Sequence, residues 1–150
     1  MPSRTVPSPF GPLALSQEGD CLTALSWGDG GSDGTPLLHE AERQLAAYFA
    51  RFLTAFDLPL APEVSPSQVR FLDALRAIPF GETRTYGDLA RDLNISPQAA
   101  GQACGANPLP VLIPCHRVLG TGNLGGFSAP GGIETKVALL RLEGAASLLI

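Results

Sequence analysis

A thiol, an imidazole and a guanidinium stand consecutively at Cys115, His116 and Arg117, directly after Pro114 and a short apolar run from Pro110 to Ile113. A free cysteine ionises near pH ~8.5, and a neighbouring His, Arg or helix N-terminus lowers that value until the nucleophilic thiolate is available at neutral pH. The apolar run reads as a buried strand or strand-like segment, which would carry the thiol at the end of a rigid piece of chain. Adjacent residues on an extended segment point to opposite faces. Contact between Cys115 and His116 therefore requires a turn, and Pro114 makes one reasonable. A helix starting after Pro114 would also set Cys115 where amides and dipole favour an anion. The competing reading is an inert buried cysteine, the common fate of this residue type; the cluster of His, Arg and Pro favours the reactive one.

The other chemistry-bearing residues are weaker. Cys21 lies at a strand start and Cys104 in a helix of small residues, and both read as packing residues. No spacing joins His39 to them in a metal-ligand pattern, so no metal is expected. The glycines at 30, 31 and 34 and at 120, 122, 125 and 126 lack the Lys-Ser/Thr of a phosphate loop and read as loops.

The elements that must position Cys115 divide the 150 residues into two expected domains, 1–64 and 65–150. Residues 8 to 29 alternate apolar stretches with turn signals, a hairpin pattern with Gly19-Asp20 at its turn. Asp29 to Thr35 reads as a mobile loop. Leu37, Leu38, Ala41, Leu45, Tyr48 and Phe49 then recur at helical spacing within Pro36 to Phe52. Pro59, Pro62 and Pro66 mark a linker. In the second half a helix is expected over Ser67 to Ala77. Thr85 can cap a second helix through Leu93, and Ser96-Pro97 starts a third over Gln98 to Gly105. Two short helices joined at Asn94 and Ile95 form a plausible helix-turn-helix.

Charge limits the partners. Residues 1–64 hold three arginines against eight carboxylates, a sum of −5, and residues 65–150 hold seven Arg/Lys against six Asp/Glu, a sum of +1. Non-specific affinity for nucleic acid comes from neutralising phosphates, so any DNA contact belongs to the second half. There Ala99, Ala100, Gly101, Ala103 and Gly105 offer little bulk, which would let a helix approach a minor groove closely; tight packing on a neighbouring helix is the plainer reading. Only Gln98 and Gln102 could reach base edges, too few for sequence-specific reading. Three cysteines, an odd number, and no apolar signal segment indicate a reducing compartment, the cytoplasm by default. No apolar run is long enough to span a bilayer.

The string Ile113 to Val118 (IPCHRV), with Asn107-Pro108 before it and Gly126, Phe127, Ser128 and Leu139 to Gly144 (LLRLEG) after it, resembles the O6-alkylguanine-DNA alkyltransferases. The resemblance extends to FGPL at Phe10, FDLPLAP at Phe56 and IPFGETRTYGDLA at Ile78. It implies an α+β fold, with an N-terminal ribonuclease H-like domain and a C-terminal helical domain carrying a winged helix-turn-helix. It further implies a monomer that needs no cofactor, binds double-stranded DNA in the minor groove, extrudes an O6-alkylguanine and takes its alkyl group onto Cys115. An alkyl carbon is out of a thiol's reach within the stack, so extrusion fits the chemistry.

By the same resemblance His116 takes the thiol proton through a water and Glu143 orients the imidazole. Asn107 holds the turn before the active-site segment. Tyr86 helps rotate the nucleotide and assists the departing guanine, which leaves better as the neutral base. Phe127 and Ser128 line the base pocket, Lys136 is a charge near it that contacts substrate or DNA, and Arg117 is structural, bonding backbone carbonyls.

Two departures stand out. The arginine with which the family fills the gap left by the extruded base falls on Gln98, and Ala129-Pro130 resembles an insertion in the pocket loop. Both imply weaker flipping into a wider or more flexible pocket. Two other classes stay open: a non-catalytic binder of alkylated DNA, against which Cys115 itself argues, and a Cys-His thiol hydrolase acting on an acyl substrate.

Overall fold

The computed structural model describes residues 1–127 and 129–145. Ser128 and residues 146–150 lie outside the described set. The chain forms two compact units, Met1–Glu63 and Val64–Ile150.

In the first unit β1 (Ser3–Val6), β2 (Leu13–Glu18) and β3 (Cys21–Trp27) make an antiparallel sheet in that order, with the expected hairpin turn at Gly19-Asp20. β1 was not legible: four residues hold too little alternation. The sheet buries Val6, Leu13, Leu15, Leu22 and Leu25, and α1 (Pro36–Phe49) buries Leu38, Ala41, Leu45 and Tyr48. Thr35 caps α1 by accepting from the Leu38 amide at 3.1 Å. The helix stops short of the expected Phe52: Arg51 turns left-handed at φ 66° and Phe52 is exposed.

The glycine-rich loop after β3, expected to be mobile, is pinned to β1. Thr5 donates its amide to the Gly31 carbonyl at 2.8 Å, and Gly31 donates to Ser3 Oγ at 3.0 Å. A Cβ on Gly31 would stand 2.8 Å from the Ser3 carbonyl oxygen, so glycine is what permits the approach.

The second unit contains α2 (Pro66–Arg76), β4 (Arg84–Thr85), α3 (Tyr86–Leu93), α4 (Pro97–Gly105), β5 (Val118–Leu119) and α5 (Ile133–Leu142). The caps follow the sequence. Thr85 Oγ1 accepts from the Asp88 amide at 3.0 Å, while the Asp88 carboxylate accepts from the Thr85 amide at 3.0 Å, a reciprocal capping box. Ser96 accepts from the Ala99 amide at 3.0 Å with Pro97 in the first turn. Between α3 and α4 the chain reverses at Asn94, left-handed at φ 56°.

Two features aim the chain at the site. β4 pairs in parallel with β5, Arg84 opposite Val118 and Thr85 opposite Leu119, which sets the start of α3 beside the end of the Cys115 segment. The apolar run 110–113, by contrast, is no strand. Val111 takes φ 72° and the Ile113 amide bonds back to the Leu109 carbonyl at 2.8 Å. Asn107 explains this. Its Oδ1 accepts from the Leu109 amide at 3.0 Å and its Nδ2 donates to the Ile113 carbonyl at 2.9 Å, so one side chain satisfies groups that a ladder would otherwise bond. The run is buried, as its composition requires, but coiled.

Candidate active site

Pro114 ends that coil, and Cys115, His116 and Arg117 form a single 3-10 turn. The turn separates adjacent side chains into different surroundings. Cys115, 6% exposed, lines a cavity of about 410 Å3 together with Tyr86, Gly101, Cys104, Gly105, Asn107 and Phe127. Three residues make too short a helix for the expected dipole effect. The Cys115 thiol is nevertheless lowered from its ordinary value, first by a hydrogen bond from the Cys104 thiol, then by the Asn107 side chain and the positive charge of Lys136, which together outweigh burial.

Cys104 therefore differs from its expected role as a packing residue. Its Sγ also approaches the Cys115 carbonyl oxygen at 3.5 Å, and donation toward Cys115 together with burial pushes its own pKa up, so it keeps its proton. The sequence held a faint signal: Gly101, Cys104 and Gly105 are spaced i, i+3, i+4 on one face of α4. Nothing in the spacing, however, revealed the turn that folds residue 115 back onto that face.

His116 is fully buried, with Nε2 2.7 Å from Glu143 Oε2. Arg117 grips the same carboxylate through Nε to Oε1 at 2.8 Å and a terminal nitrogen to Oε2 at 3.0 Å. Its other terminal nitrogen donates to the Ile78 carbonyl at 2.6 Å. The backbone contact matches the expectation for Arg117; its bidentate pairing with Glu143 went unread. Burial pushes the His116 imidazole below its ordinary 6.5, so it is neutral at neutral pH. An ionised carboxylate only accepts, so Nε2 carries the proton and Nδ1 carries the lone pair. Nδ1 is buried with no hydrogen-bond partner among the described residues.

Tyr86 opens α3 at the cavity wall, its phenol pushed up to about 12 by burial and the nearby cysteines. It remains a protonated donor throughout the neutral range. Gly125, at φ 70°, lets the following loop lie against it: a Cβ there would stand 2.9 Å from the Tyr86 ring. Lys136, expected to touch substrate or DNA, is instead 0% exposed. Its Nζ donates to the Val118 carbonyl at 2.6 Å and the Gly126 carbonyl at 3.1 Å. It ties the pocket loop to β5, because a buried ammonium must spend its donors.

Phe127 lines the cavity. Gln98 is exposed and shares the α4 stripe of Gly101 and Gly105 at the cavity side. Ala99 falls on the opposite face of α4, in a groove with Gln68 and Phe71 of α2, so it faces away from the site. Ser128 lies outside the described residues. Among those residues no group of His, Cys, Asp or Glu could hold a metal ion.

A family model described as 6-O-methylguanine DNA methyltransferase, ribonuclease-like domain, matches residues 1–62, and one described as 6-O-methylguanine DNA methyltransferase, DNA binding domain, matches residues 66–145. The chain belongs to this family. It is 38% identical over 149 residues to a methylated-DNA--protein-cysteine methyltransferase of Methanosarcina acetivorans, covering 91% of this chain and 94% of the relative. It is 42% identical over 151 residues to the protein of that name from Mycobacterium bovis, covering 93% and 90%. Among solved structures, Mycobacterium tuberculosis OGT in complex with DNA superposes with a TM-score of 0.84 at 41% identity, covering 98% and 95%. The α+β architecture is thus that of the 6-O-methylguanine DNA methyltransferases: a ribonuclease-like unit followed by a DNA-binding one. As a member, the chain is a methyltransferase of the DNA-repair class, and the relatives named above take their name from a cysteine.

Proposed function

We propose that Cys115 accepts the alkyl group of an O6-alkylguanine extruded from double-stranded DNA, and that the protein acts once. The observation that carries this reading is the ionisation-prone Cys115 in the wall of a cavity edged by Gly101 and Gly105. Among the described residues no side chain fills the space beside either glycine, so α4 can approach a minor groove while the base enters. Sulfur attacks the alkyl carbon in line, the S–C bond forms and the C–O6 bond breaks. Tyr86, still a phenol, donates to the departing base so that it leaves neutral.

The Cys115 proton passes to His116 Nδ1 through a bridging water, and Glu143 holds Nε2 so that Nδ1 faces the proton. Asn107 fixes the turn that presents the thiol. Phe127 offers a stacking face, Gln98 fills the gap in the duplex, and Ser128 contributes to the base pocket. Thiolate and base both come from the chain, so the reaction needs no cofactor, and one monomer suffices. Domains 1–64 and 65–150 divide the labour, the second holding both DNA face and acceptor. No helix among the described residues is long and apolar enough to cross a membrane, and free-thiol chemistry suits the cytoplasm.

Incubation with duplex carrying O6-methylguanine, followed by fragmentation of the tryptic peptide 92–117, tests the assignment. A methyl group on Cys115 is expected. A methyl group on Cys104, which the same peptide contains, would overturn it.

A further inference from the structure

Cys104 is a buried thiol that takes no alkyl group in the transfer reaction, and it stands against the residue that does. We propose that Cys104 and Cys115 form a peroxide-sensitive thiol pair, in which oxidation joins them as a disulfide and reversibly withdraws the alkyl acceptor.

Three observations carry this. Cys104 Sγ lies 3.5 Å from the Cys115 carbonyl oxygen, so α4 and the 3-10 turn hold the Cys104 thiol against residue 115. Both are free thiols and both line the same cavity of about 410 Å3, which admits a molecule as small as hydrogen peroxide. The surroundings divide the roles: Lys136 and Asn107 favour negative charge on Cys115, while Cys104 keeps its proton. A thiolate open to small oxidants beside a second, protonated thiol is the arrangement of a redox-sensing cysteine with its resolving partner. Cys21 lies in the other unit, on β3, and takes no part.

The chemistry balances with hydrogen peroxide as oxidant. The Cys115 thiolate attacks one peroxide oxygen; the S–O bond forms, the O–O bond breaks and hydroxide leaves, giving a sulfenic acid. Hydroxide takes the Cys104 proton to make water. The Cys104 thiolate then attacks the sulfenyl sulfur, the S–S bond forms, the S–O bond breaks and hydroxide leaves, taking up the proton that Cys115 released on ionising to become a second water. Two thiols and one peroxide yield one disulfide and two waters. Thiol reductants reverse the change, whereas without a resolving thiol the sulfenic acid goes on to sulfinic acid, which they do not reverse.

The test treats the full chain with graded hydrogen peroxide and reads peptide 92–117 by mass, without DNA, so its outcome is independent of the alkyl-transfer reading. The peptide should become lighter by two hydrogens, lose both iodoacetamide-reactive thiols and regain them with dithiothreitol. In Cys104→Ser and Cys104→Ala the same treatment should add two oxygens at Cys115, with no recovery under dithiothreitol. Two thiols still alkylatable after peroxide, a sulfinic acid on Cys115 of the unsubstituted protein with Cys104 free, or a disulfide to Cys21 would each overturn the proposal.

Discussion

Glu143 is the residue on which the chemistry of the 3-10 turn converges. One carboxylate receives the His116 imidazole and both nitrogens of an Arg117 fork, all of them buried. A carboxylate held this way needs its cation: removing one partner of a buried pair leaves an uncompensated charge, at a cost of about 3–5 kcal/mol. Arg117→Met should lose about that much in urea unfolding; a loss below ~1 kcal/mol would mean that water reaches Glu143. His116 sets a pH dependence. Its folded value lies below 6.5 because burial opposes the cation, so below pH 6.5 the unfolded chain binds a proton that the folded chain refuses. This contribution is complete above 6.5 and is lost progressively as pH falls toward the depressed folded value. Unfolding free energies measured from pH 8 down to 5 should decline, and His116→Gln should flatten the decline; parallel curves would contradict the assignment.

At the scale of elements, α3 and α4 decide presentation. The α3 capping box satisfies two backbone amides, and Thr85→Ala should lower stability by about 1 kcal/mol in denaturant unfolding. An unchanged midpoint would show the cap to be redundant. On α4, Gln98 occupies the exposed stripe beside Gly101 and Gly105 without a charge. Gln98→Arg should tighten binding to methylated duplex, steepen its salt dependence by about one phosphate contact, and speed repair. If affinity and rate both stay put, Gln98 does not fill the duplex.

These helices were legible because caps and prolines are local signals: Thr85 and Ser96 each mark their helix start within a residue or two. The Cys115 turn was not, since an apolar run looks the same coiled or extended, and what coils it is Asn107, whose two hydrogen bonds no periodicity reports. Cys104 and Lys136 were misread for a related reason. Their roles depend on which buried partner they meet across the turn, and spacing along the chain does not carry that information.

For the whole molecule the chemistry is asymmetric, as the charge is. The proposed acceptor and proton relay and the open helix face all lie in residues 65–150, the half whose charges sum to +1, while residues 1–64 sum to −5. Non-specific phosphate binding should therefore be modest, and the proposed function rests on capture of an extruded base by one thiol. The product, a thioether at Cys115, regenerates the thiolate only if a nucleophile takes the alkyl group from sulfur, and the proposed mechanism supplies none, so each chain should be spent after one transfer. The most direct measurement titrates a fixed amount of protein with excess O6-methylguanine duplex and counts methyl groups on protein. A plateau at one per chain, with none on Cys115→Ser, is predicted. Transfer that continues past one equivalent, or that survives in Cys115→Ser, would contradict the account.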